Sequence, residues 1–362
     1  MRRGLGAVTV AVALSAAACG GTSDPETADG NGNGDDGAGA LDPVDADACR
    51  YEALESAAED GPVGITFWHV MTDHNEEVLE SLVDDFHASQ DLVEVNLVRN
   101  NGYSEQQENY RAGMTTGDLP DLVQHQEVFV QQMLDTETAL PVEACMEAQD
   151  YDLDDYLPRT VEFYAVDGVQ WSLPFNVNTP VMYYNRAVFE AAGLDPDDPP
   201  RTLEELHDTA QALVDAAAEP DADDALADLT HGVGLKRDGW LLEQFRALQG
   251  LAMYDQGNGR SDRVTATAFD DEASLDILTA LNDLMADGLA ATNPTEGPNN
   301  IDNLTGLGSG SHAITFDSSG TMGAAEAILA NQYPGVDPGV APLPGGSEDG
   351  GALLGGGSLY IS

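Results

Sequence analysis

The chain has 362 residues, too many for one typical core and suited to two domains of ordinary size. Its 13 basic and 65 acidic residues leave a net charge of −52, and Lys236 is the only lysine. Nucleic-acid binding is excluded, because counterion release needs clustered cations. An acidic, lysine-poor surface suits high salt, where screening shortens repulsion, or reflects compositional bias in a GC-rich genome.

Arg2 and Arg3 precede an apolar run at about 5–17, closed by Ala16-Ala17-Ala18-Cys19-Gly20. That order reads as a secretory signal over residues 1–18, too short to span a bilayer as a stable helix. The small-residue site ending in Cys resembles a lipobox, in which Cys19 becomes a lipidated N-terminus, although Ala16 stands where that motif usually has Leu. Plain secretion is the alternative. Cys49 and Cys145 then remain as an even pair in an oxidising compartment and are expected to bridge rather than stay as free thiols. The loop so closed is about 100 residues, worth on the order of 4 to 5 kcal/mol in the chain-entropy model. Residues 19–48, rich in Gly, Asp and Ala, read as a disordered tether.

An apolar strand is expected at 65–70, followed by a helix that Asp73 and Glu76 would open as a capping box. Val78, Leu79, Leu82, Val83 and Phe86 form one apolar face of that helix, and Val93, Val95 and Leu97 alternate as a second strand. Ser104 with Gln107 is expected to cap the next helix, and residues 117–123 to close it and open a third strand. Strand and helix alternate without tight hairpin signals, which predicts a mainly parallel, helix-covered sheet. Residues 173–184 read as a buried loop and a short apolar strand, with a capped helix after them. Thr202-Leu203-Glu204-Glu205 caps a long helix to about Glu219; a strand at 232–235 and helices near 240–248 and 274–286 follow. Leu275, Leu278, Leu281 and Leu284 recur at helical spacing and are expected in the core. A strand at 313–316 runs into Asp317-Ser318-Ser319-Gly320-Thr321, a strand-to-helix turn, and 353–360 is an apolar strand interrupted by glycines. The chain stops at Ser362 inside that strand, so a fold whose second domain returns to the first is expected to be C-terminally incomplete.

Four stretches now carry a likeness: Ile65-Thr66-Phe67-Trp68-His69, the segment 173–184 with its continuation, Thr315-Phe316-Asp317-Ser318-Ser319-Gly320, and Gly355-Gly356-Gly357-Ser358. They resemble the family 1 extracellular solute-binding proteins of ABC importers, most of all the branch that binds sn-glycerol 3-phosphate. The resemblance implies an α/β, two-lobe fold of the periplasmic-binding-protein type II, with a ligand cleft between lobes. Residues 49–179 would form the first part of lobe one, 180–345 lobe two, and 346–362 a return strand. It implies a monomeric, lipid-anchored, extracytoplasmic receptor that captures sn-glycerol 3-phosphate or a glycerophosphodiester and passes it to membrane permease subunits, without cofactor or metal. An oligosaccharide receptor of maltodextrin type is the alternative on the same scaffold.

By motif the resemblance also implies ligand contacts at Tyr103, Glu127, Asn178, Trp240, Ser318 and Gly356, while a later Tyr and Arg of the family fall beyond Ser362. Glu127 can accept from ligand hydroxyls. Ser318, Ser319 and Gly320 can offer hydroxyl and backbone donors to a phosphate; Gly356 allows close backbone approach; Trp240 and Tyr103 supply flat walls. Each has a plainer reading: Tyr103 as a half-buried aromatic, Glu127 as a solvated charge, Ser318 as a helix cap, and Trp68 and Trp171 as core. Catalysis is not expected. Gly308-Ser309-Gly310-Ser311-His312 lacks nucleophile-elbow spacing, and no metal-ligand spacing joins the seven histidines.

Overall fold

The computed structural model describes residues 49–50, 53–59, 61–236, 239–293, 302–333, 336–348 and 350–362. The expected signal, tether and Cys19 lie outside these residues. Among these residues twelve strands fall into two five-stranded sheets and one short hairpin. In the first sheet β1 (Val63–His69), β2 (Val93–Arg99) and β3 (Leu122–Gln126) run parallel, with β1 central among the three. Two later strands, β6 (Leu173–Asn178) and β12 (Gly355–Ile361), complete it in the order β2-β1-β3-β12-β6, with β12 antiparallel to both neighbours. The second sheet has the order β11-β7-β10-β8-β9, built from β7 (Pro180–Asn185), β8 (His231–Lys236), β9 (Ala290–Asn293), β10 (His312–Ser318) and β11 (Pro338–Ala341). The hairpin is β4 (Ala165–Val166) with β5 (Val169–Gln170).

Both sheets are mixed, where alternation along the chain predicted mainly parallel ones. Helical crossovers do make β2-β1-β3 and β10-β8-β9 parallel. The strands that flank the crossings between the sheets, β6, β7 and β12, run against the grain and pair antiparallel. The segment expected as a buried loop is itself strand β6, and Thr179 alone separates it from β7. Asn185 then caps the helix Arg186–Ala191, its side chain accepting from Ala187 N at 3.2 Å.

Other local expectations divide by whether a side chain could reach its partner. Thr202 and Glu205 form the full capping box: Thr202 Oγ1 accepts from Glu205 N (3.0 Å) and Glu205 Oε2 from Thr202 N (3.2 Å). The helix Asp73–Ser89 has its cap one residue earlier than expected, at Thr72 rather than Asp73, with no side-chain cap bond, and Glu76 pairs instead with Arg99 (3.3 Å). The helix Tyr103–Thr116 is entered through Gly102, at φ 139°, so Ser104 lies inside its first turn rather than capping it. Residues 353–354 precede β12, which begins on the glycines themselves.

The larger core lies around the second sheet, where Met182, Tyr184, Phe189, Leu206, Val233, Phe245, Ile314 and Phe316 are buried together. The helix Leu203–Ala217 sits so close to β8 that a methyl group at Gly232 would lie 2.5 Å from Ala210 Cα. In the helix Glu272–Ala286 the buried positions are Ser274, Ile277 and Leu284, with Leu281 packed partly against the core. Leu275 and Leu278, expected inside, are 63% and 48% exposed. A row of residues three apart drifts backward around a 3.6-residue helix, so its early members rotate off the contact face. In the helix Asp73–Ser89, too, the expected face is only partly covered: Leu79 is buried but Val78, Leu82 and Phe86 stay exposed. The core of the first sheet holds Tyr110, Val123, Met133 and Tyr360, with Trp68 and Trp171 packed partly against it as the sequence had them.

Cys49 and Cys145 are bridged across a sequence separation of 96, tying the start of the described chain to the helix Val142–Gln149. Cys145→Ser is expected to lower the urea-unfolding free energy by about 4 kcal/mol, because the bridge restricts the unfolded chain. A loss under 1 kcal/mol would show that the unfolded state is already held compact by other means.

Candidate functional site

The site is built where the two sheets meet at Thr179. Ser319 N donates to Thr179 O (2.7 Å) and Thr179 N to Ser319 Oγ (3.0 Å), so the crossing is pinned to the turn that ends β10. Pairing of Asn178 with Gly355 and of Pro180 with Ser318 sets the flanks of that crossing in register with β12 and β10.

On the first-sheet side, Tyr103 opens its helix beside β3 and β6. Its hydroxyl accepts from Gln124 Nε2 (3.0 Å) and Asn176 Nδ2 (3.2 Å), and its own proton reaches Asn176 Oδ1 only at 3.5 Å. Gln124 is oriented in turn: its Oε1 accepts from Val70 N (2.9 Å) and its Nε2 also donates to Asn176 Oδ1 (2.8 Å). Gln106, fully buried, donates to the Gln124 carbonyl. Burial pushes the Tyr103 hydroxyl up to about 12, with Glu127 adding to the rise and the bonds from Asn176 and Gln124 opposing it. The phenol therefore stays protonated and keeps a loosely held donor.

Glu127 begins a short 3-10 turn after β3, and its Oε2 accepts from Gly356 N at 3.0 Å. Burial raises its carboxyl above the ordinary range, and backbone donors including Gly356 hold the rise down. The Glu127 amide and the Gln126 side chain also bond this carboxylate, whose remaining lone pairs can accept from a hydroxyl. Gly356 sits at φ 118°, and a methyl group there would lie 1.7 Å from Asn176 O; only glycine fits between β12 and β6. Asn178 lies between the lobes, with its Oδ1 2.7 Å from where a methyl at Gly355 would be and its Cβ 3.6 Å from one at Gly320.

On the second-sheet side the turn after β10 satisfies itself. Ser318 Oγ accepts from Gly320 N (3.0 Å), Ser318 N donates to Asp317 Oδ1 (2.7 Å), and Ser318 O receives Tyr183 Oη (2.9 Å) and Thr321 Oγ1 (2.7 Å). The backbone amides expected for a phosphate are thus engaged within the protein, and Ser318 is a cap, as its plainer reading had it. The serine hydroxyl protons are the donors left over. Lys236, at the end of β8, is spent on the other Asp317 oxygen at 2.5 Å, and both side chains are largely buried.

The structure therefore brings Tyr103, Glu127, Asn178, Ser318 and Gly356 to the junction of the sheets. Trp240 lies half-buried on the helix Gly239–Leu248, which follows β8 on that side. Gln124, Asn176, Asp317 and Lys236 escaped sequence reasoning. Asn176 was findable: Asn176 and Asn178 are two apart, and reading the segment as a strand puts both amides on one face. Gln124 and Asp317 carried no signal, since their roles come from residues more than fifty positions away.

With this geometry in hand, the comparisons give the class. The profile of the bacterial extracellular solute-binding proteins matches residues 72–362, and the chain belongs to that family. It is 28% identical over 327 residues to the sn-glycerol-3-phosphate-binding periplasmic protein of Pectobacterium atrosepticum, covering 87% of this chain and 69% of that one. To the Salmonella typhimurium protein of the same name it is 27% identical over 305 residues, with 82% and 65% covered. The chain thus spans about two thirds of the length of these relatives. UgpB of Mycobacterium tuberculosis in complex with glycerophosphocholine has a similar structure, with TM-score 0.67, 20% identity, and 83% of this chain and 70% of that chain covered. So does the GacH receptor of Streptomyces glaucescens, solved unliganded and with acarbose, with TM-score 0.66, 19% identity and coverage of 83% and 71%. The two-lobe α/β fold is that of these binding proteins. No helix among the described residues is long and apolar enough to cross a membrane.

Gly356→Ala is expected to cost about 2 kcal/mol or more through strained backbone and the clash with Asn176 O, and to abolish ligand binding while the second-lobe core still unfolds cooperatively. A variant that binds normally would remove Gly356 from the site. A second expectation concerns acid. His125 is 2% exposed among the rings of Tyr110, Phe129 and Tyr360, and burial pulls its imidazole down to about 4. His312 is also held at about 4, burial outweighing its bond to the Asn303 carbonyl. Each takes a proton more readily in the unfolded chain, at 6.5, than in the folded one. Stability is therefore full above pH 6.5 and falls between there and pH 4, by on the order of 3 kcal/mol per histidine. His125→Leu should flatten that slope in urea titrations across the window; an unchanged slope would assign it elsewhere.

Proposed function

We propose that this chain is the extracytoplasmic receptor of an ABC importer, that its ligand is a polyol phosphate such as sn-glycerol 3-phosphate or a glycerophosphodiester, and that it hands this to membrane permease subunits. The observation that carries the reading is the acceptor-and-donor wall of the first lobe: the Glu127 carboxylate, the loosely held Tyr103 proton and the Gly356 edge within one small region. Such a wall suits adjacent hydroxyls. Support comes also from relatives that bind sn-glycerol 3-phosphate and from the similar structure holding glycerophosphocholine. Lobe one spans 49–179 and lobe two 180–345, with 346–362 returning; ligand bridging both would shift the population toward a closed form that the permease recognises. Cys19 is the lipid anchor and the receptor acts as a monomer.

A second reading has its own observation. The site is rich in amides and hydroxyls, and the backbone donors near Ser318 are already used. Similar structures include a cyclic alpha-maltosyl-1,6-maltose binding protein from Arthrobacter globiformis, with TM-score 0.62, 24% identity and coverage of 83% and 71%. An oligosaccharide is therefore the competing ligand. Calorimetric titration with sn-glycerol 3-phosphate, glycerophosphocholine and maltotriose separates the two. Binding of the phosphate compounds is expected, and Glu127→Gln should weaken it on the order of tenfold by replacing an acceptor with a donor. Heat from maltotriose alone would reject the phosphate ligand.

A further inference from the structure

Between the helices Gly239–Leu248 and Glu272–Ala286 the chain leaves the second-lobe core as an arm, and a buried arginine builds its base. Arg246, 1% exposed, donates through Nη2 to Ala252 O (2.7 Å) and Ala268 O (2.9 Å) and through Nη1 to Asp271 (2.6 Å) and Ser274 (2.5 Å). Higher up, Tyr254 and Thr267 form a β-bridge. Asp255 accepts from Thr265 N (2.9 Å) and Oγ1 (2.5 Å), and Asn258 Oδ1 from Met253 N and Tyr254 N (both 2.9 Å). At the tip Gln256, Gly257 and Asn258 take φ values of 54°, 61° and 59° in succession. Left-handed runs of that kind are disfavoured for L-residues and persist only where surroundings impose them.

What the arm delivers is Arg260. Its Nη2 donates to Phe163 O (2.7 Å), and its Cζ lies 4.2 Å from the Phe163 ring centre. Phe163 belongs to the helix Pro158–Tyr164, which packs on β6 of the first lobe, so this contact spans the two lobes. Next to it, Tyr164 stacks edge-on with Phe163 at 5.0 Å and bonds through its hydroxyl to Ser358, two residues after Gly356. The Tyr164 hydroxyl is raised by burial first, then by Glu127, Tyr360 and Tyr103, so the residue next to the Arg260 anchor faces the wall described above. Burial lowers the guanidinium while Tyr360 and Tyr164 raise it, and an arginine remains charged at any physiological pH.

Lys236 and Arg260 differ in one respect. Lys236 is cancelled by Asp317, whereas among the described residues no carboxylate pairs with Arg260. A guanidinium has five donors in a planar fork, and Phe163 O occupies one nitrogen, Nη2. In a chain of net charge −52 such a group is the local exception that an anion needs. We propose that Arg260, carried across by the second-lobe arm, is the residue that selects a phosphate monoester or diester over a neutral saccharide. This rests on the polyol-phosphate reading, and its test keeps the two apart.

The wild-type full chain, Arg260→Gln and Arg260→Lys are titrated with sn-glycerol 3-phosphate, glycerophosphocholine and maltotriose at low and high salt, with thermal unfolding as the folding control. Arg260→Gln is expected to lose on the order of 30-fold or more in affinity for both phosphate compounds with Tm nearly unchanged. Arg260→Lys should recover part of that loss, since it restores charge without the fork. Wild-type binding of phosphate compounds with undiminished affinity in Arg260→Gln would overturn the proposal and leave the ligand reading standing. Equal losses for phosphate compounds and any saccharide that binds would make Arg260 a structural strut and also overturn it. Wild-type protein that binds saccharide only, or none of the three, rejects the ligand reading and the proposal together.

Discussion

The structure depends on a crossing one residue long. Thr179 links two sheets that share no strand, and its carbonyl and amide are both committed to Ser319. A single residue has only two soft dihedrals, and bonding both of its peptide groups to one turn fixes where the second lobe begins relative to the first. That fixes in turn where Asn178 and Ser318, the residues beside each end, can stand. The return path is looser in sequence but tethered: Gly345 N bonds to Arg201 O and Leu353 N to the buried Gln244 side chain before β12 re-enters the first sheet.

Around this junction the protein uses its own acids to organise donors. Asp317 takes Lys236 with one oxygen and the Ser318 amide with the other, and Glu127 takes the Gly356 amide. In a chain so acidic, carboxylates are the abundant local acceptors and cations the scarce partner. The consequence is a site whose fixed charges are largely settled internally and whose spare capacity lies in hydroxyls, amides and the remaining lone pairs of one carboxylate. Neutral polar recognition comes readily to such a surface, and anion recognition requires an imported cation, which is why the arm holding Arg260 matters.

The buried amides behind the wall serve a related end. Gln106, Gln124 and Asn176 are linked in sequence, each with its partner, and Tyr103 is placed by them rather than by packing alone. A satisfied buried network of this kind rigidifies what it holds, because breaking one bond leaves a desolvated group unpaired.

Much of this was legible in the chain itself. Periodicity found most of the longer strands and helices, though not β6, β9 or β11; the Thr202–Glu205 box was right in full, and Cys49 and Cys145 bridge as the pair left once Cys19 is set aside. Five of the six expected ligand contacts converge, because motif residues beside glycines and strand ends are constrained locally. Strand direction, the exposure of Leu275 and Leu278, and the burial of Ile277 in their place were settled only by which elements met. Local sequence determines whether a stretch can be helix or strand, since that depends on near-neighbour sterics and hydrogen bonds. Which partner occupies a donor, as Asp317 does for Lys236 or Phe163 for Arg260, depends on contacts across 81 and 97 residues, and only the folded chain brings those ends together.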